Sequence, residues 1–578
     1  MKVLLLFFSG IPLGLCSQNQ YNGYSTFPVT NQVIISEIMA DPNPCVDLPD
    51  AEYIELFNRG NITIFMENWK LAFGTKEKVL TASTLKAGEF LIICESGKEN
   101  EFQAYGHTLP LQKMPAIVNT GQTLTLKSGS GEVVHTVTFS PDWYKTPRKS
   151  QGGWSVEIID PDNPCGYSEN WSESNNLQGG TPGSENSVSD DNPDVLPPCL
   201  LRAVLPSDST VLLIFSERMD SISITYSGLY SVSNSLLHPV AADPVGPDYS
   251  EILLYYSQPF EPFKEYTVTV RNSLKDCTGN SFCNNAVARF AISQTPASFD
   301  LIINEILPDP LPGNSEFIEI YNRSQKVLDM KDFTIGLADL QTWEIIHIRP
   351  LRNHPFLLFP GGYVIITNQA KNLPNNCFRK FQHLIIEQPD IFALPNEEGI
   401  IVLTDSLSQI IDEFRYNKSM HAQLLTTPKG ISLEKVNPDL PTNFSENWHS
   451  ASTTSGYSTP GQQNSQAILP EFLPGEIILQ PEVFSPDFDG IDDYTTLHMQ
   501  LHEQGWIATI LIFDVGGNKI RDLMFNSMLG TEESFIWDGT SNDGRPAQVG
   551  IYLFYIEIFN QKGHVKKIRK VVTLTRRL

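Results

Sequence analysis

A chain of 578 residues is too long for one core, since single hydrophobic cores stop growing at roughly 250 to 300 residues. Its 41% hydrophobic and 10% aromatic residues are those of folded domains, which excludes a disordered chain. A formal net charge of -26 argues against a nucleic-acid partner, because nothing offsets phosphate repulsion over most of the surface.

The N-terminus carries Lys2 and then an apolar run from Val3 to Leu15, broken by Ser9, Gly10, Pro12 and Gly14 and ending in Cys16-Ser17-Gln18. Residues 1–17 read as a secretory signal peptide; a lipidated Cys16 is the second reading, disfavoured by the bulky Leu15. The run is too short to span a membrane, and no later stretch approaches about 18 apolar residues. Without Cys16 the eight cysteines become seven, so they cannot all pair within the chain. Cys277 and Cys283 close the shortest loop and are the candidate disulfide, with unrelated buried thiols as the alternative. No Cys-x-x-Cys spacing points to structural zinc.

Residues 26–187 contain short β-rich segments at Val33 to Met39, Tyr53 to Phe57, Phe90 to Cys94, Gln122 to Lys127 and Val133 to Phe139. Turn residues separate them and no helical period is sustained, which predicts a β-sandwich. Residues 188–198 are acidic and proline-rich, a linker. Residues 199–294 form a smaller unit with strands at Thr210 to Phe215, Glu251 to Tyr256 and Tyr266 to Arg271.

Residues 299–465 repeat the first unit. Ile34-Ile35-Ser36-Glu37-Ile38 and Glu52-Tyr53-Ile54-Glu55-Leu56 return as Ile302-Ile303-Asn304-Glu305-Ile306 and Glu316-Phe317-Ile318-Glu319-Ile320. Ser168-Glu169-Asn170-Trp171 and Thr181-Pro182-Gly183 return as Ser445-Glu446-Asn447-Trp448 and Thr459-Pro460-Gly461. Copies of roughly 160 residues are duplicated domains rather than solenoid repeats. A second linker at 466–475 leads to a last β-sandwich at 476–578 with strands at Ala508 to Phe513, Ser534 to Trp537, Gly550 to Phe559 and Lys567 to Leu574. The predicted fold class is all-β, a multidomain chain of immunoglobulin-like β-sandwiches.

These words carry resemblances. The opening and closing segments of the duplicated unit resemble lamin-tail domains, which implies binding or spacer modules without catalytic residues. Val211-Leu212-Leu213-Ile214-Phe215-Ser216-Glu217 and Tyr266-Thr267-Val268-Thr269-Val270 with Asp276 and Gly279-Asn280 resemble the immunoglobulin-like domains of bacterial surface proteins. The last unit resembles the gliding-motility-associated C-terminal domain, the export signal of the type IX secretion system in its second variety. That resemblance rests on Phe484-Ser485-Pro486, Ile512-Phe513-Asp514 with Gly517-Asn518, Trp537-Asp538-Gly539, and Gly550-Ile551-Tyr552 ahead of the basic Lys566-Lys567-Ile568-Arg569-Lys570. Asp487 and Asp492 stand where that family often has Asn. The bland reading of the basic end is an edge strand guarded by Lys.

Asp487, Asp489, Asp492 and Asp493 crowd around Gly490 and form the candidate calcium site, against a solvated turn as the plain alternative. Glu37 with Glu55, and Glu305 with Glu319, are weaker candidates for gathering a cation. His498 and His502 have metal-ligand spacing only if helical, and the alternation from Thr495 to Leu501 predicts a strand instead. No Gly-x-Ser-x-Gly segment or phosphate loop appears.

The expectation is a non-enzymatic structural or adhesion protein of a Gram-negative cell surface, secreted through the type IX machinery. Its other partner would be an extracellular protein or glycan, and no cofactor is expected beyond Ca²⁺. The alternatives are an extracellular metal-dependent hydrolase and an outer-membrane scaffold subunit.

Overall fold

A computed structural model describes residues 24–25, 30–233, 238–282, 286–352, 355–468 and 476–576. The signal segment 1–17 lies outside these residues, as does Cys283. The fold is all-β, a succession of immunoglobulin-like β-sandwiches. Among the described residues no helix is long and apolar enough to cross a membrane.

The two lamin-tail-like units share one topology. In the first, a six-stranded sheet runs Trp171–Glu173, Val156–Ile158, Val33–Met39, Tyr53–Asn58, Phe90–Glu95 and Thr108–Leu111. In the second, Trp448–Ser450, Leu433–Lys435, Leu301–Leu307, Phe317–Asn322, Tyr363–Thr367 and Ile385–Glu387 take the same places. A four-stranded sheet packs against each, and aliphatic side chains from both layers fill the core. Trp171 stacks on Trp143 at 5.2 Å between ring centroids, and Trp448 stacks on Phe414 at 3.7 Å. The duplicated tryptophan therefore has a packing role in both copies.

The opening strand of each unit bulges at the same step, between Ile35 and Glu37 and between Ile303 and Glu305. The two copies meet the freed amide differently. Ile35 N–H donates to His135 Nδ1 at 3.1 Å, and Ile303 N–H donates to Asp412 Oδ2 at 2.8 Å. With Nδ1 accepting, the His135 Nε2–H donates to the Pro164 carbonyl at 3.0 Å. Burial and the nearby Arg218 push its pKa down to about 3, so the ring is neutral.

Between the copies lies a smaller sandwich of a four-stranded and a three-stranded sheet, with Thr210–Phe215, Glu251–Tyr255 and Tyr266–Val270 among its strands. The last sandwich packs a three-stranded sheet on a five-stranded one. Phe484 and Trp537 meet in its core at 5.3 Å, and Trp537 Nε1–H donates to Thr540 O at 2.8 Å. The basic strand Val565–Leu574 pairs with Gly550–Asn560 along one side, while on the other only Thr573 and Leu574 pair, with Val483–Phe484. Lys566, Lys567 and Arg569 are exposed along it.

The junctions are built from specific contacts. Cys277 pairs with Cys165 of the first unit, with Cα atoms 6.2 Å apart, which corrects the local pairing with Cys283 expected from spacing, since a thiol forms one disulfide only. Arg218 is buried where these two domains meet; it donates to Thr136 O at 2.7 Å, pairs with Asp248 at 2.9 Å and covers Tyr167. Arg202 lies over Phe356 and Arg289 over Phe359, joining the middle sandwich to the second lamin-tail-like unit. Described residues of both segments read as linkers are fastened. Asp190 N–H donates to Ile159 O at 3.2 Å, and Gln466 is fully buried.

Candidate functional site

Strand pairing places Glu37 opposite Glu55 on one side and Glu157 on the other. In the second copy Glu305 stands between Glu319 and Glu434. Each unit thus carries a row of three glutamates across three neighbouring strands, and all six are 0% exposed. Three carboxylates side by side in an apolar surround repel one another and lose hydration, so the row exists only if donors replace the water.

The Thr-Pro-Gly segment supplies them. Thr181 N–H donates to Glu37 Oε1 at 2.8 Å, the Thr181 hydroxyl to Glu157 Oε1 at 3.0 Å, and Gly183 N–H to Glu55 Oε2 at 2.5 Å. Thr459 and Gly461 repeat all three on Glu305, Glu434 and Glu319, at 2.8, 2.7 and 2.5 Å. Ser155 and Ser432 hydroxyls each add a bond to the central glutamate at 2.5 Å. Ser187 and Ser465 hydroxyls bind the third glutamate at 2.8 Å in each copy. Asn186 and Asn464 close the arrangement on backbone carbonyls. Gly183 and Gly461 sit at φ of 79° and 80°, and a Cβ on Gly183 would collide with the Tyr105 carbonyl.

The copies differ at two donors: the Ser36 hydroxyl on Glu55 is replaced by the Asn304 side-chain NH₂ on Glu319, each at 2.8 Å, and one further hydroxyl is lost. Tyr53 O–H bonds Glu37 at 2.7 Å, and Phe317 takes that strand position in the second unit with no hydroxyl to offer.

Burial, with its neighbouring carboxylate, raises Glu37 to about 7; burial raises Glu319 to about 8 and Glu434 to about 7, and pushes Glu55 and Glu305 upward as well. The Thr181 hydroxyl lies 3.5 Å from Glu37 Oε2 as well as 3.0 Å from Glu157 Oε1. A hydroxyl has one proton to give, so the bridge is complete when Glu37, whose pKa is raised, also carries a proton. N–H and O–H groups pointing at the oxygens make this a hydrogen-bonded clasp, whereas a cation shell would turn lone pairs inward. The pairs Glu37 with Glu55 and Glu305 with Glu319 do come together, as chemistry of the fold.

Glu157 and Glu434 escaped the sequence reading. The available signal was Ser155-Val156-Glu157 matching Ser432-Leu433-Glu434, each the same distance upstream of its Asn-Trp pair.

The second clasp reaches into the last sandwich. Gln466 N–H donates to Glu434 Oε2 at 3.0 Å, its side-chain NH₂ donates to Leu529 O at 2.9 Å, and its Oε1 accepts from Gly505 N–H at 3.1 Å. Gln466→Ala should leave the Leu529 carbonyl and Gly505 amide buried without that partner. The expected cost is about 2 kcal/mol, read as a lower unfolding midpoint of the C-terminal sandwich in urea.

Of the four candidate calcium ligands, Asp487, Asp489 and Asp493 bring oxygens within 4.8 Å of one another and Asp492 is not among them. Asp492 has a φ of 52°, a turn conformation. Asp493 accepts from Phe488 N–H at 2.6 Å and Gly490 N–H at 2.9 Å, and the loop is largely exposed. His498 lies on the strand Thr495–Gln500 and bonds Ser534 at 2.9 Å across to Glu532–Trp537. His502 lies beyond that strand's end, beside Glu503, Trp506 and His564. As the alternation predicted, strand geometry separates the two histidines.

Fold and clasp together define a chain of immunoglobulin-like sandwiches in which a repeated unit is sealed by its own C-terminal segment. Residues 27–141 and 294–418 match the Lamin Tail Domain family, and residues 201–293 match a bacterial Ig-like domain family. The third glutamate and the Thr-Pro-Gly segment lie beyond the matched residues in both copies. No curated protein matches the chain. Among solved structures it is similar to the N-terminal part of the bacterial S-layer protein SbsC, at 12% identity over 31% of this chain and 42% of that one, with a TM-score of 0.16. A DUF4876 family protein from Bacteroides thetaiotaomicron shares 12% identity over 40% of this chain and 84% of that one, with a TM-score of 0.18. Scores at that level carry no argument about function.

Proposed function

We propose that this chain is a non-enzymatic structural or adhesion protein, secreted to or displayed on the surface of a Gram-negative cell through a type IX secretion system. The observation that carries the structural role is the construction of the junctions. A disulfide with a buried Arg218 at the first, arginine–aromatic contacts at the second and the buried Gln466 at the third suit sandwiches held in fixed relative positions. Protein modules that carry load or present a binding surface need such fixed spacing.

Two features support the export route. The apolar N-terminal run has the length and flanks of a secretory signal. The last sandwich presents Lys566, Lys567 and Arg569 in the open on its terminal strand, in a chain of net charge -26, so a receptor meets a local positive patch. Extracellular protein or glycan is the ligand class such modules serve.

Deletion of residues 476–578 tests the route. The truncated protein should accumulate in the periplasm while the full chain is shaved from intact cells by added protease. Equal surface exposure of both forms would overturn the export role of the last sandwich, and periplasmic residence of both would overturn surface display.

A further inference from the structure

A second carboxylate cluster lies where the first linker meets the middle sandwich. We propose that Asp194, Glu217 and Asp276 bind one calcium ion, which bolts the linker to the immunoglobulin-like domain. The three come from separate segments. Asp194 is in the linker, Glu217 follows the strand Thr210–Phe215, and Asp276 opens the turn that ends at Asn280. Each offers a carboxylate oxygen, and the three oxygens lie within 4.8 Å of one another.

Asp276 makes this more than a crowd of surface acids. It is 1% exposed, and its two oxygens are treated unequally. Oδ1 accepts from Thr278 N–H at 2.9 Å, the Thr278 hydroxyl at 3.0 Å, Gly279 N–H at 2.7 Å and Asn280 N–H at 2.8 Å. Oδ2 is buried with no hydrogen-bond partner, and a carboxylate oxygen of Asp276 lies within 4.8 Å of oxygens from Asp194 and Glu217. An orphaned buried carboxylate oxygen is costly, and the turn that saturates Oδ1 holds this carboxylate in place at the cluster. A cation there satisfies it directly.

Charge leads the same way. Three carboxyl groups converge here, and among the described residues no Lys or Arg forms an ion pair with any of them. Arg218, next in sequence, is turned away to Thr136 O and Asp248. A divalent cation supplies the missing positive charge. The donors are all oxygen, which selects a hard ion. Carboxylates from three independent segments, with solvent reaching Asp194 and Glu217, suit the irregular six-to-eight-fold shell of Ca²⁺ better than the strict octahedron of Mg²⁺. Asn280 already holds the linker by donating to Asp194 O at 3.0 Å, and Cys277, next to Asp276, carries the disulfide to Cys165. Ion and disulfide would fasten the same junction from neighbouring residues.

The test uses the full chain lacking only residues 1–17, stripped with a chelator and titrated with CaCl₂ by calorimetry. Asp487→Asn with Asp489→Asn forms the background, so that the exposed loop cannot report. One site should bind with a dissociation constant on the order of 10⁻⁴ M, the range of extracellular modules. Asp194→Asn and Glu217→Gln, neither of them in the core, should each weaken it at least tenfold. Saturating Ca²⁺ should also slow hydrogen exchange at Thr278, Gly279 and Asn280 in the background protein but not in the variants. Absence of binding in the background protein, or unchanged affinity in both variants, would overturn the site. Preference for MgCl₂ over CaCl₂ would overturn the assignment to calcium.

Discussion

Replacing Glu305 by Ala should destabilise the second lamin-tail-like unit by about 3 kcal/mol or more, one of the largest effects of any single change in the chain. The central glutamate accepts the Ser432 hydroxyl and the Thr459 amide on one oxygen and lies 3.2 Å from the Thr459 hydroxyl on the other. Truncation leaves the Thr459 amide buried with nothing to bond, takes from the Ser432 hydroxyl its nearest acceptor and opens a cavity in a region without solvent access. Relief of repulsion from Glu319 and Glu434 returns part of the loss, which is why Glu305→Gln should cost less, about 1 kcal/mol, by keeping one acceptor in place. Urea unfolding reads the loss, and hydrogen exchange at Thr459 and Gly461 locates it. Wild-type midpoints and protection in Glu305→Ala would sink the clasp.

Stability of the same unit should fall as pH rises from 6.5 to 8, by about 2 kcal/mol. Glu319, raised to about 8, and Glu434, raised to about 7, favour the protonated form when folded. Their contribution is fully present below the ordinary carboxylate pKa and is lost as pH climbs through the raised values. The neutral buried His421, lowered to about 4, acts in the opposite direction between pH 4 and 6.5, because only the unfolded chain gains its proton there. The two slopes oppose each other in acid, and the carboxyls dominate from 6.5 toward 8. Lys435, lowered to about 8 by burial, loses its proton in the folded chain from the top of that range upward, which raises stability there. Midpoints in urea across this range, with chelator present to remove metal linkage, check the sign. Glu319→Gln should flatten the fall, and an unchanged slope in that variant would refute the assignment.

Much of the fold was legible because it is written locally. Short β-rich runs marked Gln122–Lys127, Val133–Phe139 and Thr210–Phe215 at the bounds the structure gives them. The matched words around Glu37, Glu55, Trp171 and Thr181 and their second copies identified a duplicated unit, and each of those residues proved to be part of the clasp or the core. What escaped was non-local. Glu157 lies in a strand of three residues, Val156–Ile158, too short to carry a pattern, and its meaning comes from pairing with Glu37. The disulfide joins residues 112 apart, so a rule based on short loops selected the wrong partner for Cys277. Gln466 opens a short stretch that reads as a linker, and only the neighbouring domain reveals that its amide is a bridge. Asp276 looked like one turn residue among many until burial singled out one of its oxygens.

The clasp also sets an order of events during synthesis. Glu37 waits for a donor 144 residues downstream, and Glu305 for one 154 residues downstream. A chain emerging from its N-terminus therefore holds nearly the whole unit before the buried acids can be satisfied, and closing so long a loop is slow. Until Thr181 or Thr459 arrives, the central glutamate lacks that donor; once it arrives, the unit can shut.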